Sequence, residues 1–501
     1  MSSALYLAVD CSTTAAKAVL FDTEGRSVAI ARRRLEMSQP RTGWHEQDPE
    51  QWWRATREAM VAAIGAIEDP LRIQAICVTH QRESFVCLDA EGLALRPAIL
   101  WVDTRAAAEI AEFGTPEVAE LSGKPADVTP ALYKMAWLRR HEPGVMRDAA
   151  RVGDVQAFLS QRLTGRWATS HGSADALGLF DLPALTWADE LLNIAGVRRD
   201  QLPDLVPSGE LLAMLDPEVA ADLGLPAPIP LVAGTGDGQA AGLGADAGAP
   251  GTAYLNLGTS MVTGVASQIC VTGSAFRTLA GPTHATYVLE TLLNSAGYLI
   301  TWFRDLFGAS TTDPEMDAAA ARIPPGSDGL LTLPYWNAVQ SPYWDPQARG
   351  ATVGWHGGHT AAHLYRSLLE GVGYELRLHL DGLENATRQP ITSLRAVGGG
   401  ARSRLWIQIV ADITQRQILL ATEDEVSAKG AAVLAHAYVV GGGNSGIHAA
   451  SHSMAHTARI IQPDSRTASF YANAYIIQRT IYPRLRAVFA ELATLSKDGG
   501  A

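Results

Sequence analysis

The chain has 501 residues and a mass of 53.4 kDa, which predicts two to four domains, each large enough to bury its own core. Apolar residues make up 47% and charged residues 18%, which excludes wholesale disorder. A net charge of −12, with Arg32-Arg33-Arg34 as the longest basic run, speaks against sequence-independent nucleic-acid binding.

The elements read as follows in chain order. Leu5 to Val9 is a short apolar strand ending at Asp10, followed by a turn at Cys11–Thr14. Strands follow at Ala18–Phe21 and Ser27–Ala31, then a helix around 50–67 that places Trp53, Met60, Ile64 and Ile67 on one face. A strand at Ile73–Thr79 runs into the polar loop His80-Gln81-Arg82-Glu83. The same order recurs in the second half. Strands at Ala253–Leu257 and Met261–Ala266 flank the turn Gly258-Thr259-Ser260. A long helix carries Leu364, Leu368, Val372, Leu376, Leu380 and Leu383, and a strand at Leu394–Val397 enters Gly398-Gly399-Gly400-Ala401. Thr13 and Thr259 lie 246 positions apart, so the chain reads as two related α/β halves. The Gly/Ala-rich stretch 242–251 reads as a hinge between domains 1–245 and 246–501. The segment 467–495 reads as a closing helix.

Four cysteines, Cys11, Cys77, Cys87 and Cys270, show no CxxC spacing. That argues against a disulfide framework or a thiolate zinc site, and suits a reducing, cytoplasmic compartment. The N-terminus has no basic start or long apolar core, so no secretory signal is expected. No apolar run approaches about 18 residues, so no membrane span is expected either.

Several clusters can carry chemistry. In Asp10-Cys11-Ser12-Thr13-Thr14-Ala15-Ala16-Lys17, a tight turn lets backbone amides and hydroxyls approach phosphate oxygens. Lys17 can add charge, and Asp10 can hold a hydrated Mg²⁺. The turn Gly258-Thr259-Ser260 matches it, so two tips could clasp a polyphosphate; the alternative is two ordinary hairpins. Asp237, in Gly234-Thr235-Gly236-Asp237-Gly238, stands at a strand end among glycines with room for a ligand. It reads either as a general base or as a helix cap. His80, Arg82 and Glu83 read either as donors and acceptors for a polyhydroxy ligand or as a structural Arg82–Glu83 ion pair. Trp101 and Asp103 add an aromatic platform and a carboxylate, or a core tryptophan. Gly398–Gly400 reads either as a flat backbone on which a planar base can rest or as the N-terminal turn of a helix. His448, His452 and His456 share one helical face but lack a carboxylate partner, and read as a polar surface.

Taken together these residues resemble the FGGY family of carbohydrate kinases over about residues 5–490. Further markers are Gly43–Pro49, Arg96–Trp101 and Gly398–Ser403. The resemblance implies two actin-like, ribonuclease H-like domains with ATP and substrate in the cleft between them. It implies Asp237 as catalytic base, and Asp10 with Asp237 near Mg²⁺. Ser12, Thr13, Thr14, Lys17, Gly258, Thr259, Gly297, Gly400, Ala401 and Ser403 would contact the nucleotide. His80, Arg82, Glu83, Trp101 and Asp103 would line the substrate site. Ser12 replaces a glycine usual in the first phosphate turn. Arg82-Glu83 is similar to the glycerol-phosphorylating members, whereas Thr129 stands where those carry a tyrosine. The xylulose-phosphorylating members carry Met-His in place of Arg82-Glu83, yet the segments 46–53, 96–101 and 397–403 are closer to theirs. The expected acceptor is therefore a small polyol or ketose, D-xylulose first, with glycerol, a tetritol, another ketose or a sugar acid as alternatives. A non-catalytic actin-like sugar sensor is the rival reading. A homodimer is compatible with the resemblance.

Overall fold

The structure is a computed structural model that describes residues 3–307, 313–422 and 424–498. Its first half is built on strands β1 (Leu5–Cys11), β2 (Ala15–Asp22) and β3 (Ser27–Arg34). Helix α1 (Pro49–Ile64), strands β4 (Ile73–His80), β5 (Leu211–Met214) and β6 (Pro230–Val232), and helix α2 (Asp237–Gly244) complete the central layers. The six strands form one sheet in the order β5-β6-β4-β1-β2-β3. β1 pairs antiparallel with β2 and parallel with β4.

The second half repeats this plan. Its sheet contains β7 (Thr252–Leu257), β8 (Met261–Ser267), β9 (Arg277–Ala280) and β10 (Tyr287–Leu293). After the long helix α3 (Ala361–Thr387) come β11 (Ser393–Val397) and β12 (Gln417–Ala421). Helices α4 (Val426–Val440) and α5 (Gly443–Met454), strand β13 (Thr457–Ile461) and helix α6 (Ala468–Asp498) follow. The order is β9-β10-β8-β7-β11-β12-β13. β7 pairs antiparallel with β8 and parallel with β11, as β1 does with β2 and β4. Both sheets end in an antiparallel strand beyond the parallel pair, β5 in one and β13 in the other. The duplication expected from Thr13 and Thr259 is therefore present over five strands, β3-β2-β1-β4-β6 against β10-β8-β7-β11-β12; the edge strands differ in chain order, β5 preceding β6 while β13 follows β12, and β9 is added at one edge. The two α/β halves expected from sequence are thus both present.

Strand periodicity explains the layering. Leu5, Leu7 and Val9 point to one face of β1 and pack with Trp52, Ala59, Met60 and Ile64 of α1. Tyr6 and Ala8 point to the other face and pack with Ala431, Ala432 and Val433 of α4. Helix α1 is capped by Asp48, whose side chain accepts from the Glu50 amide, and it stops at Gly65. Its buried tryptophan is Trp52, not Trp53, because Trp52 also donates to Gln47 at 2.8 Å. The six apolar residues expected along α3 are all buried.

Within the segment 242–251, residues 242–244 close α2 and residues 245–251 form the loop that leads into β7. Gly242 and Gly244 lie inside α2, where it crosses α4. A Cβ on Gly244 would sit 2.1 Å from the Val426 carbonyl oxygen, and one on Gly430 would sit 1.9 Å from that of Ala240. Close packing of two helices, rather than loose backbone, requires these glycines. Residues 426–454 also pack on the first-half sheet, so the side-chain contacts of the 246–501 segment extend into the other lobe.

Candidate active site between the lobes

Strands β1, β4 and β6 end side by side and deliver Asp10, His80 and, through a short loop, Asp237. The loop is tight: a Cβ on Gly234 would meet the Val78 carbonyl oxygen at 1.8 Å, and one on Gly236 would meet the Arg82 stem at 2.4 Å. The glycines around Asp237 therefore admit neighbouring protein rather than ligand. Asp237 opens α2, its Oδ1 accepts from the Gly238 amide at 2.8 Å, and its side chain is 40% exposed. Burial raises its pKa; Arg82 opposes the rise, while Glu83 and Glu290 add to it.

Arg82 and Glu83 do not pair with each other. Arg82 Nε lies 3.0 Å from Asp237 Oδ1, and Arg82 Nη1 donates to both oxygens of Glu290 at 3.0 and 3.1 Å. The Nε–H points away from good hydrogen-bond alignment and is a buried donor without a partner. Glu83, at φ +60°, accepts from Arg277 Nη1 at 2.6 Å. Arg277 then returns to Glu290 Oε1 through Nε at 2.8 Å and Nη2 at 2.6 Å. Tyr254 OH donates to the other Glu290 oxygen. Burial alone would raise the Glu290 pKa, but Arg82 and Arg277 hold it down at about 2.

Arg277 and Glu290 were not among the residues singled out from sequence. A signal was present: each is a lone charge in an apolar strand, Arg-Thr-Leu-Ala and Tyr-Val-Leu-Glu-Thr-Leu-Leu. A buried charge in such a strand requires a partner of opposite sign.

The remaining substrate-side candidates divide. Trp101 Nε1 donates to Thr13 Oγ1 at 2.9 Å, and Lys134 donates to the Trp101 carbonyl at 3.0 Å. Burial lowers the Lys134 pKa to about 8. Thr13 Oγ1 also donates to Gln81 Oε1 at 3.2 Å, and the Thr13 carbonyl accepts from Gln47 Nε2 at 2.7 Å, so its hydroxyl already serves the first tip. His80 is fully buried, with Nδ1 on the Gln81 carbonyl at 2.7 Å and Nε2 on Ser173 Oγ at 2.8 Å. Both oxygens of Asp103 are taken up by Arg105 and the His45 amide, and Asp103 is buried. His80 and Asp103 thus brace the walls. The Thr129 hydroxyl donates to Asp127 at 3.0 Å.

A cleft of about 960 Å³ opens on the second half. It brings together Gly258, Thr259, Gly297, Gly400 and Ser403, with Trp406 and Tyr365 as aromatic walls. That volume is within the range of small-molecule sites. Gly297 supports the tip directly: its amide donates to the Gly258 carbonyl at 2.9 Å, and a Cβ there would meet that oxygen at 2.6 Å. Ser403 Oγ donates to Asp317 at 2.6 Å. Ala401 is not on the lining but packs partly on the core below it. Ser12, Thr14 and Lys17 lie on the first tip. Ser12 Oγ donates to the Ala15 carbonyl at 2.8 Å, and Thr14 is exposed. Lys17 Nζ reaches across the lobes to Glu425 at 2.5 Å.

Asp10 fits a cation. Its carboxylate is buried and Oδ1 has no hydrogen-bond partner. Burial raises its pKa to about 7, against Lys17 and with Asp237. His448, His452 and His456 do not converge. His452 meets Asp246 at 3.1 Å, and His456 meets the Glu24 carbonyl at 2.8 Å. Among the described residues no group of three or more His, Cys, Asp or Glu is placed to hold a metal, and no helix is long and apolar enough to cross a membrane.

Residues 5–244 match the N-terminal domain, and residues 253–438 the C-terminal domain, of the FGGY family of carbohydrate kinases. The chain belongs to that family. It is 34% identical over 439 residues to a xylulose kinase of Escherichia coli, covering 86% of this chain and 89% of the relative. It is 31% identical over 442 residues to a glycerol kinase of Thermococcus onnurineus, covering 86% and 88%. It is 30% identical over 443 residues to a gluconokinase of Bacillus subtilis, covering 85% and 86%. Among solved structures, a xylulose kinase from Brucella ovis superposes with a TM-score of 0.91 at 30% identity, covering 97% of this chain and 100% of that one. The FGGY kinase fold therefore frames the site, and FGGY kinases use ATP as phosphate donor.

Proposed function

We propose that this FGGY kinase transfers the γ-phosphoryl group of ATP to a terminal hydroxyl of D-xylulose, giving D-xylulose 5-phosphate and ADP. The acceptor oxygen attacks γ-phosphorus in line, the bond to the β–γ bridging oxygen breaks, and Asp237 takes the hydroxyl proton. Arg82 Nε–H orients an acceptor oxygen beside Asp237, with Trp101 as a wall. The 960 Å³ cleft takes the nucleotide, its glycines at Gly258, Gly297 and Gly400 allowing close backbone approach. Asp10, with Asp237 near it, would hold Mg²⁺, which would supply charge neutralisation to the phosphates when bound. Closure of the lobes keeps water away from the phosphoryl group.

One observation carries the choice of a neutral acceptor. Both guanidiniums beside the base, Arg82 and Arg277, are already matched by Glu83, Asp237 and Glu290, with Asp10 adding another carboxylate. A sugar acid such as gluconate would meet no unmatched charge on Arg82 or Arg277. The xylulose kinase relatives favour D-xylulose among neutral acceptors. A shorter polyol is the second reading, favoured by the partnerless Arg82 Nε–H, which suits one of two vicinal hydroxyls. The test is ADP release with ATP and Mg²⁺ against D- and L-xylulose, D- and L-ribulose, glycerol, erythritol, D-arabitol and gluconate. Highest kcat/KM on D-xylulose supports the proposal. Highest kcat/KM on glycerol or erythritol replaces it with the second reading, and preference for gluconate overturns the charge argument.

A further inference from the structure

The charged groups beside the base form a chain of alternating sign: Glu83, Arg277, Glu290, Arg82, Asp237. The two ends and Arg82 belong to the first half, whereas Arg277 and Glu290 belong to β9 and β10 of the second. The chain thus crosses between the lobes twice. Its inner members are buried, Glu290 at 0% and Arg82 at 7% exposure. Glu290 is central: it accepts from both guanidiniums and from Tyr254. Gly238 is part of the same fit, because a Cβ there would lie 2.8 Å from both Arg82 Nη2 and Glu290 Oε2.

We infer that Glu290, braced by Arg277, is a positioning residue: from the opposite lobe it holds the Arg82 guanidinium so that Nε–H stays directed at the acceptor instead of closing on Asp237. The inference rests on the proposed kinase reaction and extends it to two residues that touch neither sugar nor nucleotide. The physical reason is competition for one cation. Arg82 Nη1 is anchored on Glu290, and Nε stands 3.0 Å from Asp237 Oδ1 without a hydrogen bond. With Glu290 neutral, Asp237 becomes the strongest counter-ion in reach, and the guanidinium turns to bind it through two N–H groups. The base would then be occupied by a cation and the acceptor would lose its donor. Because Glu290 sits on the second-half sheet, the acceptor site is fully formed only when both lobes are in place.

The test is the near-isosteric Glu290→Gln, with Glu290→Asp as the charge-restoring comparison and thermal melting to follow stability. For the acceptor with the highest wild-type turnover, Glu290→Gln is expected to lose kcat by roughly 100-fold, the scale of an ångström-size misplacement. The KM for ATP should stay within about twofold of wild type, since the nucleotide cleft does not include Arg82. Glu290→Asp should recover at least about tenfold of the lost kcat, because the counter-charge returns. Sugar turnover in Glu290→Gln within about twofold of wild type overturns the inference, as does a rise in the ATP KM that matches the loss of kcat. If D-xylulose is silent and another acceptor works, the xylulose reading falls while this one is still tested on that acceptor. If the wild type turns over none of the panel, the acceptor class proposed above falls; a crystal structure of Glu290→Gln then decides, with Arg82 closed on Asp237 supporting the inference and Arg82 unmoved overturning it. Should Glu290→Gln fold poorly, Arg277→Lys keeps the charge but loses the forked contact to Glu83 and Glu290, and the same split is expected.

Discussion

The crossing of α2 and α4 places Asp237, the proposed base, so adding one methyl group there is a sharp perturbation. In Gly430→Ala the new Cβ would lie 1.9 Å from the Ala240 carbonyl oxygen and 2.6 Å from its carbon. Reaching the 3.4 Å of ordinary contact means a retreat of about 1.5 Å, and both sides of the clash are backbone. Alanine gains about 1 kcal/mol over glycine in a helix interior. Overpacking costs about 1–3 kcal/mol and more against rigid backbone. The expected balance is destabilisation of about 2 kcal/mol, or a melting midpoint lower by roughly 4–8 °C in a lobe of this size. Ala240 lies one turn beyond Asp237, so a shift of α2 also moves the base, which can cost up to about 100-fold in kcat. The control is Gly446→Ala on α5, where a Cβ meets nothing within 4 Å and stability should hold or rise. The assay is thermal unfolding of both variants alongside ADP release. If Gly430→Ala melts at or above wild type with kcat unchanged, the packing argument is wrong.

Other predictions follow from buried carboxylates. Asp10→Asn should raise the Mg²⁺ concentration needed for half-maximal turnover by roughly tenfold or more, the scale on which even outer partners of metal sites act. An unchanged Mg²⁺ titration would remove Asp10 from the cation site. Burial lifts Glu375 from its ordinary 4.5 to about 8, with Tyr335 OH opposing. The folded chain therefore holds a proton that the unfolded chain releases, and stability falls as pH rises between about 4.5 and 8. Glu375→Gln should melt above wild type near pH 8.5, with the gap closing toward about pH 5. A gap of equal size at both pH values would refute the assignment.

The paired halves were legible because strand periodicity and turn residues are local. The β1–β2 tip at Ser12–Thr14 and the β7–β8 tip at Gly258–Ser260 announce themselves within a few positions. The apolar residues of α3 likewise fix a helical face without outside help. Partnerships across hundreds of residues were not legible. Arg82 and Glu83 adjoin in sequence, but a left-handed Glu83 sends their side chains to different partners, Glu290 and Arg277. Gly244 reads as flexible because sequence shows a missing side chain, not the Val426 carbonyl packed against it. His80 and Asp103 are polar residues at strand ends, a pattern shared by ligand-facing groups and wall braces. Only the partners, Ser173 and Arg105, tell the two apart.

The central claim is that Asp237 takes the acceptor proton. It is tested most directly by Asp237→Asn, with ADP release and ATP affinity measured on the same preparation. The amide keeps the size and the hydrogen-bonding reach but cannot serve as base. The account predicts a loss of about 100- to 10,000-fold in sugar-dependent turnover, with ATP affinity near wild type. Sugar phosphorylation at the wild-type rate in Asp237→Asn would contradict it.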